Sequence, residues 1–315
     1  MSKYNFAFDV STLSDYTNEN TDIIAKAIYN SPTIKSGVEV LPGQKGDFML
    51  NRLDHNIYLQ AAACGWTVSG GTAFGQVKVE LCSVDYKEAL CPKTLEPKWL
   101  GQLMAQGSDP ESFPFEQYIV DTKSSKLSSE VEYMIWQGNT DTGTGNLALC
   151  QGVKQFLSGS TFSSTYVALA SGATIDSTNI ISKVNYLING IDERAYELGN
   201  LVLYMSNANF RSYVTALINA NLYNYAQNVD GTTGELMIPG HNIRVIATSG
   251  LRGLNDMYLF PVDNMSIGTD LISETENLDM WYSKDNREIR IAGSFKLGVG
   301  FYFPEFVAHN VSALA

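Results

Sequence analysis

The sequence is poor in the residues that most enzyme sites use. It has three histidines in 315 residues, and none of them lies in a metal-binding, nucleophile or phosphate-binding motif. We interpret His55, His241 and His309 as surface or packing residues. Acidic pairs such as 192–193, or 274 with 276, could serve a glycosidase, but they are expected by chance among 33 carboxylates. The sequence therefore predicts no catalytic residue and no cofactor.

Cysteine is also scarce. Four cysteines are too few for a disulfide scaffold, and no two of them form a CxxC unit of the kind that indicates zinc. They are Cys64, Cys82, Cys91 and Cys150. We expect them to be buried free thiols of a protein that folds in a reducing cytosol, and we predict no metal site.

Charge is low and of one sign. Charged residues make up 17% of the chain, against about 25% in an average soluble domain. Lys and Arg number 21 against 33 Asp and Glu, which gives a net charge of -12. Proteins that coat the phosphate backbone of nucleic acids carry the opposite sign. A weakly charged surface rich in Asn, Ser, Thr and Gly suits contacts with other copies of the chain.

Long hydrophobic runs are absent as well. No apolar stretch approaches the roughly 20 residues that span a bilayer, and residues 1–6 do not resemble a secretory leader. The longest apolar runs, such as 201–205, have the length of a strand. We expect a soluble protein with no membrane partner.

The N-terminal quarter is weakly apolar and extended. Up to about residue 35 it is polar, with one short helix signal over 21–28 that Pro32 stops. Such a start cannot fold alone, so we expect it to lie against other parts of the protein. The region from about 37 to 84 has strand patterns at both ends and a glycine-rich middle. Because a two-stranded ribbon is marginal by itself, we expect an extended arm that rests on a partner.

The rest of the chain has clearer periodicity. Helical patterns cover 116–136, 180–198 and 207–222, and strand patterns cover 201–205, 242–247 and 258–262. The polar, glycine-containing segment 138–145 is the best domain boundary.

The clearest pattern lies at 289–303, where apolar residues occupy the odd positions and mostly polar or small residues the even ones. It predicts one strand of about 15 residues, paired in a hairpin across a turn at 284–287. The odd positions should face the helix at 116–136, and the even positions should face solvent or another subunit.

Several short runs accompany this order of elements, at the tip of the arm, just after it, and around the C-terminal hairpin. They are Cys64-Gly65-Trp66, Gly70-Gly71-Thr72, the run from Leu90 to Glu96, the run from Pro261 to Asp270, Arg287-Glu288-Ile289-Arg290, and the run from Gly298 to Glu305. With them the chain resembles, over nearly its whole length, the major capsid proteins of tailed double-stranded DNA bacteriophages, the Hong Kong 97 fold family. The resemblance implies an α+β fold with an N-terminal arm, an E-loop, a P domain built on a spine helix and a long β-hairpin, and an A domain.

The resemblance also implies how the chain is divided. Residues 1–35 would form the N-terminal arm, 36–90 the E-loop, 91–139 with 262–315 the P domain, and 140–261 the A domain. Four residues near the tip of the E-loop are expected to contact a neighbouring subunit, where glycines let one sequence fit several environments of a closed shell. They are Trp66, Gly70, Gly71 and Phe74.

The function implied is that of a coat protein that assembles into the hexamers and pentamers of an icosahedral phage head. Its partners would be other copies of itself, a portal and, because the arm begins almost at Met1, a separate scaffolding protein. Double-stranded DNA would be enclosed without specific binding. The protein would reside in the virion after assembly in the cytoplasm of a bacterial host. Some relatives join subunits covalently through an E-loop lysine, and Lys45 and Lys78 lie in this segment.

Two other classes of protein stay open. One is a different phage structural protein, such as a tail-tube or baseplate subunit, although the helices at 180–198 and 207–222 argue against the β-sandwich ring of a tube. The other is a cytosolic hydrolase that uses carboxylates, which the lack of site motifs disfavours.

Overall fold

Two larger sheets, a two-stranded ribbon and six helices are seen in the computed structural model, which describes residues 31–62, 70–91, 115–158, 165–166, 175–222, 235–270, 279–283, 285–286 and 288–310. The helices are α1 (Pro32–Lys35), α2 (Phe115–Gln137), α3 (Val153–Ser158), α4 (Ile180–Gly190), α5 (Glu193–Leu198) and α6 (Asn207–Asn219). The strands are β1 (Glu39–Leu41), β2 (Phe48–Asn56), β3 (Gly71–Val79), β4 (Cys82–Leu90), β5 (Thr165–Tyr166), β6 (Leu201–Ser206), β7 (Glu235–Met237), β8 (Arg244–Thr248), β9 (Met257–Pro261), β10 (Met265–Thr269), β11 (Asp279–Ser283), β12 (Glu288–Phe301) and β13 (Ala308–Asn310).

The strand β12 is the centre of a five-stranded sheet. It pairs antiparallel with β10, β11 and β4, and β1 extends the sheet by pairing parallel with β10. The length of β12, 14 residues, confirms the long strand that the alternation predicts. The pairing of β11 with β12, with Ser283 opposite Glu288, confirms the predicted hairpin.

The odd residues of β12 face the core, as predicted. Phe295 and Phe301 are buried in one apolar cluster with Met134 of α2. Phe156 of α3 packs beside Phe301, with 5.8 Å between the ring centres. The apolar face of β12 is thus covered by α2 and α3 over its C-terminal half, from Phe295 to Phe301.

The even face of β12 corrects one expectation. Gly298 and Gly300, expected to face solvent or another subunit, are buried beneath the base of the ribbon formed by β2 and β3. A Cβ atom on Gly300 would lie 2.3 Å from Cγ2 of Val79, so only glycine leaves room for this close approach. Leu50 and Val79 are fully buried here. The expectation that a partner subunit holds the arm is therefore wrong for the base of the ribbon, because residues of the same chain pack against that base.

The six-stranded sheet has the order β5-β13-β9-β6-β8-β7 and is covered on both faces. Its strand β6 confirms the pattern at 201–205 and is buried at every residue. Tyr204 packs toward α2, where the ring of Trp136 lies 5.0 Å away, whereas Leu203 packs with residues of α4 and α6. Coverage of both faces explains why this strand is continuously apolar.

The three predicted helical patterns agree with the structure except at one break, whereas α1 and α3 lie where no helix was predicted. The bounds of α2 and α6 confirm the patterns at 116–136 and 207–222. The pattern at 180–198 is divided into α4 and α5, because Ile191 is extended and Asp192 caps α5 by accepting a hydrogen bond from the backbone N of Arg194 at 2.9 Å. The helix signal at 21–28 lies outside the described residues.

Residues 31–36 are inserted between α2 and the six-stranded sheet. Thr33 donates a hydrogen bond to the buried carboxylate of Glu132, and Nε1 of Trp136 donates to Oγ1 of Thr33 at 2.7 Å. Nη2 of Arg244 donates to the carbonyl oxygen of Ser36 at 3.1 Å. The rest of the chain thus holds the described end of the N-terminal region, as expected for a segment that cannot fold alone.

Two of the four cysteines correct another expectation. Cys82, at the start of β4, and Cys150, just before α3, form a disulfide with Cα atoms 5.4 Å apart. The prediction of buried free thiols is therefore wrong for this pair. Their separation of 68 residues along the chain hides the pairing from any local motif. Cys91 is exposed, and Cys64 lies outside the described residues.

Candidate subunit interface

The strands β2 and β3 form a two-stranded ribbon, here called the arm. Its strands pair in register from Phe48 with Val79 at the base to Asn56 with Gly71 at the far end, a length of about 27 Å. Among the described residues, neither strand pairs with a third. The arm therefore depends on its base, and on contacts from outside, to keep its position.

The far end of the arm is apolar and exposed. Phe74 on β3 is 82% exposed, and Leu59, which follows β2, is 95% exposed. Ile57 and Tyr58 are also exposed large side chains. Single exposed apolar residues are common on proteins, but several together mark an interaction surface. These four residues are named the arm tip below.

Three of the four predicted contact residues lie at this end. Gly70, Gly71 and Phe74 are exposed, whereas Trp66 lies outside the described residues. The consecutive apolar residues 57–59 were not predicted from the sequence as part of this surface. Their signal is the lack of alternation, because three neighbouring apolar side chains cannot all face one side of a strand.

A cleft of about 320 Å³ lies between β4 and α2, lined in part by Leu127 and Phe295. At its rim, Lys123 forms an ion pair with Glu88. Burial by itself would raise the pKa of Glu88, but hydrogen bonds from Lys123 and Tyr86 lower it below the usual range. A carboxylate that stays ionised is a poor proton donor near neutral pH, so this ion pair fits a structural role better than an acid–base role.

The histidines do not assemble a site either. The buried ring of His309 stacks on Tyr258 at 5.9 Å, and burial lowers the pKa of His309 to about 4 although Asp256 acts in the opposite direction. His241 contacts Tyr196, and His55 contacts Thr72 on the arm. The packing interpretation is confirmed for His309.

The described residues hold neither a metal-binding cluster nor a membrane-spanning helix. There, no group of three or more His, Cys, Asp or Glu residues could hold a metal ion. In the same part of the chain, no helix is long and apolar enough to cross a membrane. Of the acidic pairs considered for a hydrolase, Asp192 caps α5, and residues 274 and 276 are outside the described ranges.

Of the two lysines considered for a crosslink, Lys78 has its amine engaged within the chain. Nζ of Lys78 lies 2.8 Å from a carboxylate oxygen of Asp47 and 3.5 Å from one of Glu80. The hydrogen bond with Asp47 raises the pKa of Lys78, which keeps the amine protonated and weakly nucleophilic. The carbonyl oxygen of Lys45 accepts a hydrogen bond from Nζ of Lys296 at 2.9 Å. This geometry does not favour a covalent crosslink through Lys78.

Solved shell proteins share the arrangement of the chain. The capsid of a native GTA particle has a TM-score of 0.54 and 12% identity, over 90% of this chain and 90% of that chain. The procapsid of satellite phage P4, which includes the size determination (Sid) protein, has a TM-score of 0.53 and 12% identity, over 98% and 93% of the two chains. The SrpI encapsulin complex from Synechococcus elongatus has a TM-score of 0.52 and 9% identity, over 91% and 89%.

Sequence similarity gives no second line of evidence for the fold. No family model matches the chain, and no curated protein matches it. At such low identities the structural similarity shows the fold alone. The predicted α+β fold of Hong Kong 97 type is confirmed, because phage capsid proteins and an encapsulin share it along nearly the full chain.

Proposed function

We propose that this protein is the major coat protein of a tailed double-stranded DNA bacteriophage. Copies of the chain assemble into hexamers and pentamers that close into an icosahedral head around DNA. The observation that carries the proposal is the arm tip, which projects apolar side chains from a chain with the fold of shell proteins.

Burial of the arm tip would favour the association of subunits. Full burial of a large apolar side chain contributes about 1.5–3 kcal/mol, so Ile57, Leu59 and Phe74 together contribute about 4.5–9 kcal/mol per subunit before ordering costs. Every copy offers the same tip, and each closed ring of copies buries all of them. We also propose Trp66, Gly70 and Gly71 as contact residues of this interface, the glycines because they let one sequence fit several environments of a closed shell.

The division of the chain stays as the resemblance implies. In this proposal α2 is the spine helix of a P domain formed by 91–139 and 262–315, and the E-loop covers 36–90. The A domain covers 140–261, and residues 1–35 form the N-terminal arm. The strand β13 pairs with β9, so the C-terminal segment also adds a strand to the sheet of the A domain.

The partners proposed are other copies of the chain, a portal and a separate scaffolding protein. Control of shell size by another protein has a counterpart in the P4 procapsid, which includes the Sid protein. The net charge of -12 favours enclosure of DNA without adhesion to its phosphates. The proposed location is the virion, after assembly in the host cytoplasm.

The arm tip allows a direct test of the proposal. Leu59→Asp and Phe74→Asp place a carboxylate on a surface that assembly buries. We expect both variants to be soluble and folded but at least tenfold poorer in particle yield by sedimentation. Lys87→Asp is the control, because Lys87 is exposed on β4 and lies off the arm. Normal particle yield from both arm variants would contradict the proposed interface.

A protein compartment of the encapsulin kind is the second candidate, because an encapsulin shares the fold. The two candidate functions predict particles with different contents. Particles from an infected or induced host should hold nuclease-protected double-stranded DNA if the protein is a phage coat. Particles with protein cargo and no protected DNA would favour the compartment. The fold gives no support to a tail-tube protein or to a carboxylate hydrolase.

A further inference from the structure

One ionic contact joins the arm to the body beyond its buried base. Arg52 lies on β2, two residues beyond Leu50, and its Nη1 donates to both carboxylate oxygens of Glu305, at 2.8 and 2.9 Å. The guanidinium also lies 5.8 Å from the ring centre of Phe303. The side chains of Arg52 and Glu305 are 33% and 32% exposed, so solvent screens this pair less than a fully exposed one.

The opposite strand of the arm leaves a path for the Arg52 side chain. Gly75 is the residue directly across from Arg52 in the ribbon. A Cβ atom at position 75 would lie 2.6 Å from Nε and 2.8 Å from Cγ of Arg52. Gly75 is not among the glycines with positive φ, so the glycine is required here by space and not by backbone conformation.

Glu305 is carried by a firmly held turn. The turn Pro304–Phe306 is separated by two residues from the end of β12 at Phe301. The side chain of Asn264 accepts a hydrogen bond from the backbone N of Phe303 at 2.7 Å and donates one to its carbonyl oxygen at 2.8 Å. The rings of Phe303 and Phe306 stack at 5.1 Å. The turn that carries Glu305 is therefore fixed to the core sheet, and the arm is the part that can tilt.

We propose that Arg52, Gly75 and Glu305 form a latch that sets the tilt of the arm and thereby the position of the arm tip. The ribbon extends about 20 Å from Leu50 to its far end, so a tilt of about 10° moves that end by about 3–4 Å. Such a shift is as large as the spacing of packed side chains. Arg52 and Glu305 are positioning residues, since neither belongs to the arm tip. The consequence for shell geometry rests on the proposed function, whereas the latch itself is a property of one subunit.

Charge-reversal variants test whether the ion pair of Arg52 with Glu305 positions the arm, as distinct from general packing around it. Arg52→Glu and Glu305→Arg each oppose like charges, whereas the double variant Arg52→Glu/Glu305→Arg restores an ion pair. In unassembled full-length subunits, we expect each single variant to exchange its amide hydrogens over 52–56 and 71–75 several-fold faster than the wild type. The double variant should return toward the wild-type rate.

The glycine supplies a second test that adds no charge. Gly75→Ala should displace Arg52 and accelerate exchange as the charge reversals do. Gly46→Ala should not, because nothing lies within 4 Å of the Cβ it would add. If a charge-reversal variant failed to fold, these two substitutions would still decide the matter.

Two outcomes would overturn the latch. One is wild-type exchange of the arm in both single variants, and the other is a double variant that exchanges as fast as the single ones. In assembled material, the single variants should give shells of altered or mixed diameter, and the double variant should restore uniform shells. If the wild type formed no shell, the proposed function would fail, but exchange in subunits would still test the latch.

Discussion

Among single residues, Phe295 tests the facing of β12 most sharply. Phe295 is 2% exposed, whereas its neighbour Ser294 is exposed and lies opposite Asp85 of β4. Phe295→Lys should lower the free energy of unfolding by about 3–5 kcal/mol or more, since it removes a core ring and buries an ammonium group. Ser294→Lys should change it by less than about 0.5 kcal/mol. Urea unfolding compares the two, and equal losses would contradict the facing.

His309 predicts a pH dependence of stability. Its pKa in the folded protein is about 4, against 6.5 for an ordinary histidine. Between these values the unfolded chain binds a proton that the folded chain does not. Stability is therefore fully retained above pH 6.5 and falls as the pH drops toward 4. From pH 7.5 to 4.5 this histidine should cost about 2–3 kcal/mol.

Substitution isolates that contribution from the other titrating groups. His309→Gln should lose less free energy of unfolding between pH 7.5 and 4.5 than the wild type does. Ser294→Gln should keep the wild-type dependence, because Ser294 is exposed and its side chain does not titrate. Urea unfolding at the two pH values measures this difference. Parallel behaviour of all three proteins would contradict the role assigned to His309.

Between elements, the disulfide of Cys82 and Cys150 joins the start of β4 to the segment before α3. Closure of a 68-residue loop stabilises the folded chain by about 4 kcal/mol in the chain-entropy model. The double variant Cys82→Ser/Cys150→Ser should lose that amount relative to the oxidised wild type. Equilibrium unfolding with and without a thiol reductant measures it. Equal stability of the oxidised wild type and the double variant would contradict the crosslink.

Elements whose buried residues follow a regular pattern along the chain could be predicted from the sequence. The alternation in β12 and the apolar run of β6 each report a local environment that one stretch of residues encodes. The division of the helix at Ile191 is a smaller local effect, because Asp192 at that point caps α5. The apolar pattern at 180–198 continues across this break, so the pattern alone does not show that the helix is divided there.

Contacts between distant segments could not be predicted in this way. Arg52 and Glu305 are 253 residues apart, and the need for glycine at position 300 exists only because Val79 packs onto it. Of the candidate interface, Phe74 and Gly71 follow from the glycine-rich pattern of the arm. The exposure of Leu59 becomes evident only in the structure, where no described strand pairs with the ribbon besides its own two.

For the molecule as a whole, the parts agree on one architecture. A spine helix, a long hairpin and a sheet covered on both faces form a body, from which a latched arm carries an apolar tip outward. The fold is that of shell proteins, and a chain of this charge and surface suits association with its own copies. Assembly into a closed shell is therefore the property on which the proposed function depends.

Electron microscopy of the purified full-length protein tests that property most directly. The proposed function predicts closed shells with five-fold and six-fold clusters of subunits, whose formation Leu59→Asp prevents. A wild-type protein that stays a 34.6 kDa monomer at concentrations well above micromolar, with no shells under any assembly condition, would contradict it.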